Sequence, residues 1–134
     1  QNPVDDFVKI NSDGAFSAGT GEGGWGYVIR DAEGEVLCAG AGKLSHLQDA
    51  LQAEIRACMQ GAKAAADHGM GKVILETDSL ILSRAMLDNS HRLALTGGSI
   101  LELKNFIEDN FICTAHAIAE LGRMCPQKID PAWS

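Results

Sequence analysis

The sequence predicts an α/β fold: a three-stranded antiparallel meander, extended by one parallel strand, with helices packed on the sheet. Three observations carry this. Residues 7–16 (FVKINSDGAF) alternate with the period of two of a strand, and two more strand-like runs follow them. Residues 47–68 hold one alanine-rich helical period. Residues 72–77 (KVILET) form a short apolar run of the kind that parallel sheets cover on both faces.

The elements follow in order. After the first strand, SAGTGEGG (17–24) is a glycine-rich turn, without the GKS/T ending or following helix of a phosphate loop. Residues 25–32 (WGYVIRDA) and 35–42 (EVLCAGAG) read as a hairpin turning at Glu33-Gly34. The long helix runs from Leu47 to His68 and stops at Gly69. Leu51, Ile55, Cys58, Ala62 and Ala66 form its buried stripe, and the alanines allow close approach to a sheet. Beyond the 72–77 strand, Asp78 or Ser79 can cap a helix reaching about Leu87. Residues 88–98 read as a loop, and from Ser99 the chain is helical again.

Length and composition suit one domain over residues 1–134, with a folded core at 7–124 and a tail at 125–134. Of the 134 residues, 46% are hydrophobic and 22% charged, enough to bury a core. No stretch approaches the roughly 20 apolar residues that span a bilayer, so no membrane partner is expected. The start, QNPVDDFV, has no signal-peptide pattern and no initiator Met, which suggests a piece of a longer protein. Cys38, Cys58, Cys113 and Cys125 lack CxxC spacing and read as reduced thiols of an intracellular protein, in cytoplasm or nucleus. A net charge of −7 with only 11 Lys and Arg residues argues against tight, unaided nucleic-acid binding. Trp25 and Phe16 read as packing residues rather than base-stacking platforms, and the four methionines as core fillers.

Three acids stand in unlike settings: Asp13 in the first strand, Glu54 on the long helix, and Asp78 just past KVILET. Glu54 lies about 60° from Leu51 and about 40° from Cys58 around the helical wheel, so it borders the buried stripe. It is either a solvated flank residue or a carboxylate held at the helix–sheet seam. Asp78 is either an N-cap or a ligand at the carboxyl end of a strand, where open α/β sheets bind their ligands. Brought together, three carboxylates would form a hard oxygen site suited to Mg²⁺ or Mn²⁺.

The motifs Asp13-Gly14-Ala15, Gly23-Gly24-Trp25-Gly26-Tyr27, Ile29-Arg30-Asp31 through Gly34, Ala53-Glu54 and Glu76-Thr77-Asp78-Ser79 occur in one order along nearly the whole chain. In these the sequence resembles the plant-type ribonuclease H-like domain, the reverse-transcriptase-associated kind found in retroelements and many plant proteins. The closing DPAWS is similar to that family's tail. The resemblance implies a ribonuclease H-like fold and metal ligation by Asp13, Glu54 and Asp78, with Asp13 bridging two Mg²⁺ ions. It also implies hydrolysis of the RNA strand of an RNA–DNA hybrid to leave a 5′-phosphate.

The pattern departs from the family near its end. SILELKNFIEDNF runs directly into ICTAHAIAELG, with Ile112 where the family's Asn would stand and no room for a fifth strand before the closing helix. From Ser99 to Leu121 there is no Gly or Pro, and Ile100, Leu103, Ile107, Phe111, Ala115, Ile118 and Leu121 keep a helical period. The expectation is a missing fifth strand, two helices fused into one, and a homodimer formed by helix exchange. His116 then has three readings: a solvated helix residue, the family's fourth metal-side residue and so a catalytic group, or a core histidine. His46, His68 and His91 read as surface residues.

Two functions remain open. The intact acidic trio supports a Mg²⁺-dependent hybrid ribonuclease. The acidic charge, sparse basic residues and altered C-terminal region favour an inactive module of a larger plant protein. Such a module would bind a protein partner, for instance a pathogen effector.

Overall fold

The computed structural model describes residues 7–87, 98–118 and 123–128. Six strands form one mixed sheet in the order β3-β2-β1-β4-β5-β6. The chain first lays down β1 (Val8–Phe16), β2 (Gly23–Arg30) and β3 (Val36–Leu44) as an antiparallel meander. The β2–β3 turn is fixed by its acid: Asp31 Oδ1 accepts from the backbone N–H groups of Glu33 and Glu35, while Gly34 takes φ +89°. Helix α1 (Ala50–Asp67) crosses back over the sheet, and β4 (Lys72–Thr77) joins β1 in parallel. Among the described residues two shorter helices follow, α2 (Leu80–Leu87) and α3 (Gly98–Asn110), then β5 (Cys113–Ile118) and β6 (Arg123–Lys128). The expected loop at 88–98 lies outside the described residues except for Gly98, which opens α3.

The core lies between one face of the sheet and the helices. Ile10, Ile29, Val73 and Leu75 from the strands meet Ile55, Cys58, Ala62, Leu82, Ile100 and Leu103 from the helices. Burying each large aliphatic side chain contributes about 1.5–3 kcal/mol. Small residues bring α1 in close. A Cβ on Gly14 would meet the backbone of Ala53 and Glu54, and one on Gly61 would lie 2.7 Å from Ile10 Cγ2. Ala53, Ala57, Gly61 and Ala65, one helical turn apart, are all buried. This row lies within a buried face that also contains most of the stripe read from the sequence. Asp49 caps the helix by accepting from Gln52 N–H at 2.9 Å, and Gly69 follows its end with φ +74°.

The C-terminal region differs from the expectation. A fifth strand is present, and the helices do not fuse. Helix α3 buries Ile100, Leu103, Ile107 and, just beyond its end, Phe111, as the helical period requires, but it stops at Asn110. Phe111 N–H still donates to the Ile107 carbonyl at 3.1 Å, and Asn110 Nδ2 adds a side-chain bond to the Phe106 carbonyl in the last turn. Ile112 N–H then donates to the Gly71 carbonyl at 2.7 Å, and Lys72 to Thr77 pair in parallel with Cys113 to Ile118. The physical reason is the free edge of β4. An apolar strand buried on both faces needs a ladder on each side, and CTAHAI, which alternates as well as it spirals, supplies one. The helix on which helix exchange and a metal-side His116 rested is therefore absent. His116 stands on a strand, level with Leu75 of β4 and Cys125 of β6. Strand β6 ends at Lys128.

Candidate metal centre

Strand β4 pairs with β1 only from Val8↔Val73 to Asn11↔Glu76. Beyond that rung the strands part, and the three acids meet in the opening. One carboxylate oxygen each from Asp13, Glu54 and Asp78 lies within 4.8 Å of the others. Asp13 comes from β1 two residues past the last rung. Asp78 follows the end of β4. Glu54 arrives from α1, which Gly14 allows to sit directly on the strand.

The local contacts exclude one reading of each of two acids. Glu54 is buried, at 8% exposure, and so is not a solvated flank residue. Its Oε1 accepts from Gly14 N–H, a donor for which β4 no longer supplies a carbonyl. Burial pushes the Glu54 carboxyl above its ordinary value, opposed by the Gly14 N–H and the Ser79 hydroxyl, and the charges of Asp13 and Asp78 push it the same way as burial. Ser79, not Asp78, caps α2: its Oγ accepts from Leu82 N–H at 3.2 Å. Asp78 is thereby left exposed beside Asp13. Ser79 thus serves both the α2 cap and Glu54, a role that the Thr77-Asp78-Ser79 run did not reveal from sequence alone.

Three converging carboxylates repel one another, and a divalent cation relieves that repulsion while taking up hard oxygen donors. The residues present fit such an ion. Nearby Cys58 does not compete as a ligand, because complete burial pushes its thiol up to about 12 and keeps it neutral at physiological pH. Cys38 and Cys58 carry free thiols.

The other sheet face, away from α1, opens as a hollow of about 690 Å³ whose lining includes Asn11, Asp13, Val28, Ala39, Glu76 and Asp78. Strand alternation and register place Lys9, Arg30 and Lys43 on this same face. The few basic residues are therefore not all scattered away from the acids. Sequence composition alone could not show this, because it follows from strand pairing. Tyr27 and Trp25 stack with ring centroids 5.9 Å apart and lie over Gly40 and Gly42 on the helix-facing side, in keeping with a packing role.

A family model described as reverse transcriptase-like matches residues 11–108, 98 of the 134 residues, and spans all three acids. The chain belongs to this family, whose domains are ribonuclease H-like. Strands β5 and β6 lie beyond the matched span. Solved structures agree on the fold. RNase H1 from the halophilic archaeon Halobacterium salinarum NRC-1 superposes with a TM-score of 0.69 at 20% identity, over 87% of this chain and 89% of that one. The N-terminal RNase H domain of a Mycobacterium tuberculosis protein, solved as a fusion with maltose binding protein, gives 0.67 at 20% identity, covering 87% and 85%. LC11-RNase H1, solved in complex with an RNA/DNA hybrid, gives 0.62 at 21% identity, covering 86% and 88%. No curated protein matches the sequence significantly. Among the described residues no helix is long and apolar enough to cross a membrane.

Proposed function

We propose that the chain is a divalent-metal-dependent ribonuclease that hydrolyses the RNA strand of RNA–DNA hybrids. The observation that carries this reading is the convergence of Asp13, Glu54 and Asp78 within 4.8 Å at the parting of β1 and β4. The ribonuclease H-like fold and the hybrid bound by LC11-RNase H1 support the choice of substrate. Asp13, Glu54 and Asp78 would hold Mg²⁺ or Mn²⁺. When bound, the ions supply a water of lowered pKa and a Lewis acid for the phosphate oxygens. The protein's own work is to place the ligands. Gly14 N–H and Ser79 orient Glu54, the parted strands present Asp13 and Asp78, and Lys9, Arg30 and Lys43 offer positive charge on the open face. His116 is left out of the catalytic set, since the helical position that suggested it is not formed.

One specific observation favours a second reading. The net charge of −7 suits a protein-binding module better than a tight binder of nucleic acid. A single assay separates the two. Labelled RNA–DNA hybrid is incubated with Mg²⁺ or Mn²⁺ and either the unaltered chain or Asp78→Asn. The ribonuclease reading expects cleavage that falls about a thousandfold or more in the variant, the equivalent of several kcal/mol of transition-state stabilisation. Equal background in both leaves the binding module.

A further inference from the structure

The last rung of the β1–β4 ladder carries more than backbone pairing. Asn11 and Glu76 are register partners there, and Asn11 Nδ2 donates to Glu76 Oε1 at 2.6 Å. Each stands two residues before a member of the acidic trio, Asn11 before Asp13 and Glu76 before Asp78. Two residues make one pleat repeat, about 6.5–7 Å along a strand, so Asp13 follows Asn11 by a single step on β1, and Asp78 follows Glu76 just past the end of β4. Beyond the rung no strand ladder fixes how far β1 and β4 spread. On the helix side, Glu54 ties Gly14 to Ser79 across the gap. On the open side, the side-chain bond between Asn11 and Glu76 is the corresponding tie.

Resting on the metal reading above, we infer that Asn11 and Glu76 are a positioning pair that sets the separation of Asp13 and Asp78, and with it the affinity for the divalent cation. Glu76 acts through the carboxylate oxygen that Asn11 holds. Its charge is not what the site requires. Both side chains are half-buried and line the hollow that contains Asp13 and Asp78, so the bond is protected from full solvent competition without being sealed in the core.

Substitutions at the two positions separate geometry from charge. Glu76→Gln keeps a carbonyl oxygen for Asn11 and removes the charge. Glu76→Ala and Asn11→Ala each remove one end of the bond. Mg²⁺ binding is measured by titration calorimetry without nucleic acid, with the metal-free melting temperature of each variant recorded alongside. Partners that orient metal ligands typically matter about 10–100-fold in affinity. Both alanine variants are expected to weaken Mg²⁺ binding about tenfold or more, the double variant no further than either single one, and Glu76→Gln by less than about twofold. If Glu76→Ala does not fold, Asn11→Ala alone carries the comparison.

Alanine variants that bind Mg²⁺ like the unaltered chain would overturn the inference, even if their melting temperatures fall, because the pair would then serve stability only. So would a Glu76→Gln variant as weak as Glu76→Ala, which would assign the effect to charge. If the unaltered chain binds neither Mg²⁺ nor Mn²⁺, the metal reading fails first and takes this inference with it. Binding that is the same in every variant contradicts the inference alone.

Discussion

The two edges of β4 are built differently. Against β5 it pairs along its whole length, in six register pairs from Lys72↔Cys113 to Thr77↔Ile118. Against β1 it pairs for four, from Val8↔Val73 to Asn11↔Glu76, and then parts from it. The longer pairing joins strands, and the shorter one makes room for chemistry. Where β1 loses its neighbour, a backbone N–H at Gly14 becomes available to Glu54, and Asp13 on β1 meets Asp78, just past the end of β4, with no ladder between them. A site of this kind needs the interruption as much as it needs the acids.

The largest structural effect should come from closing that interruption on the helix side. Gly14→Ala would place a methyl group against the backbone of Ala53 and Glu54, atoms that cannot swing aside as a side-chain end could. We expect a loss of about 3 kcal/mol in urea denaturation, at the upper end of overpacking costs. Gly69→Ala is the contrasting case. Its φ of +74° is unfavourable for alanine, but nothing lies within 4 Å of the added Cβ, so the cost should stay near 1–2 kcal/mol. Equal losses would mean that helix α1 is not seated on β1 as described.

Ser79→Ala should act more mildly, on both sides of the opening at once. Loss of the α2 cap costs about 1 kcal/mol. Glu54 also loses a hydroxyl donor that favours its charged form, so Mg²⁺ binding should weaken more at mildly acidic pH than at neutral pH. A variant that loses stability but keeps the parent's pH dependence of binding would limit Ser79 to capping.

The smallest effect concerns Glu54 itself in the metal-free protein. Its carboxyl is raised, chiefly by burial, above the ordinary value of 4.5. The folded state therefore binds the Glu54 proton more tightly than the unfolded chain does. That contribution to stability is fully present below the unfolded value and is lost as pH rises through the folded one. Glu54→Gln should lack this loss, so in metal-free melts the parent should fall behind the variant as pH increases across that window. Added Mg²⁺ should reverse the order at neutral pH, because only the carboxylate is a full ligand. If the two melting curves stay parallel with pH, the burial assigned to Glu54 is wrong.

The contrast between the two edges of β4 also explains how much could be read from the chain. The meander, the long helix and KVILET were legible because each carries a local signal with its own terminator: DAEGE for the hairpin, Gly69 for the helix, and Ser79 for the strand-to-helix turn. The acidic trio was legible as residues, through spacing and resemblance. Which of Asp78 and Ser79 takes the cap stayed open in the sequence, because both suit it, and so did the burial of Glu54, which depends on how closely α1 approaches β1. The end of α3 was misread for a related reason. From Ile100 to Leu121 the apolar residues fit a helical period, while CTAHAI within them also alternates, and short apolar runs cannot be divided by period alone. What decides the conformation is the unpaired edge of β4, some forty residues earlier in the chain.

The most direct test of the central claim is cleavage of an RNA–DNA hybrid labelled in both strands, with cation removed by EDTA and then restored as Mg²⁺. The account predicts no cutting in EDTA and recovery on restoring the ion. The DNA strand should stay intact, the RNA fragments should carry 5′-phosphates, and Asp13→Asn or Asp78→Asn should abolish the recovery. Cleavage that persists in EDTA or in both variants, or no cleavage by the unaltered chain with either Mg²⁺ or Mn²⁺, would contradict it.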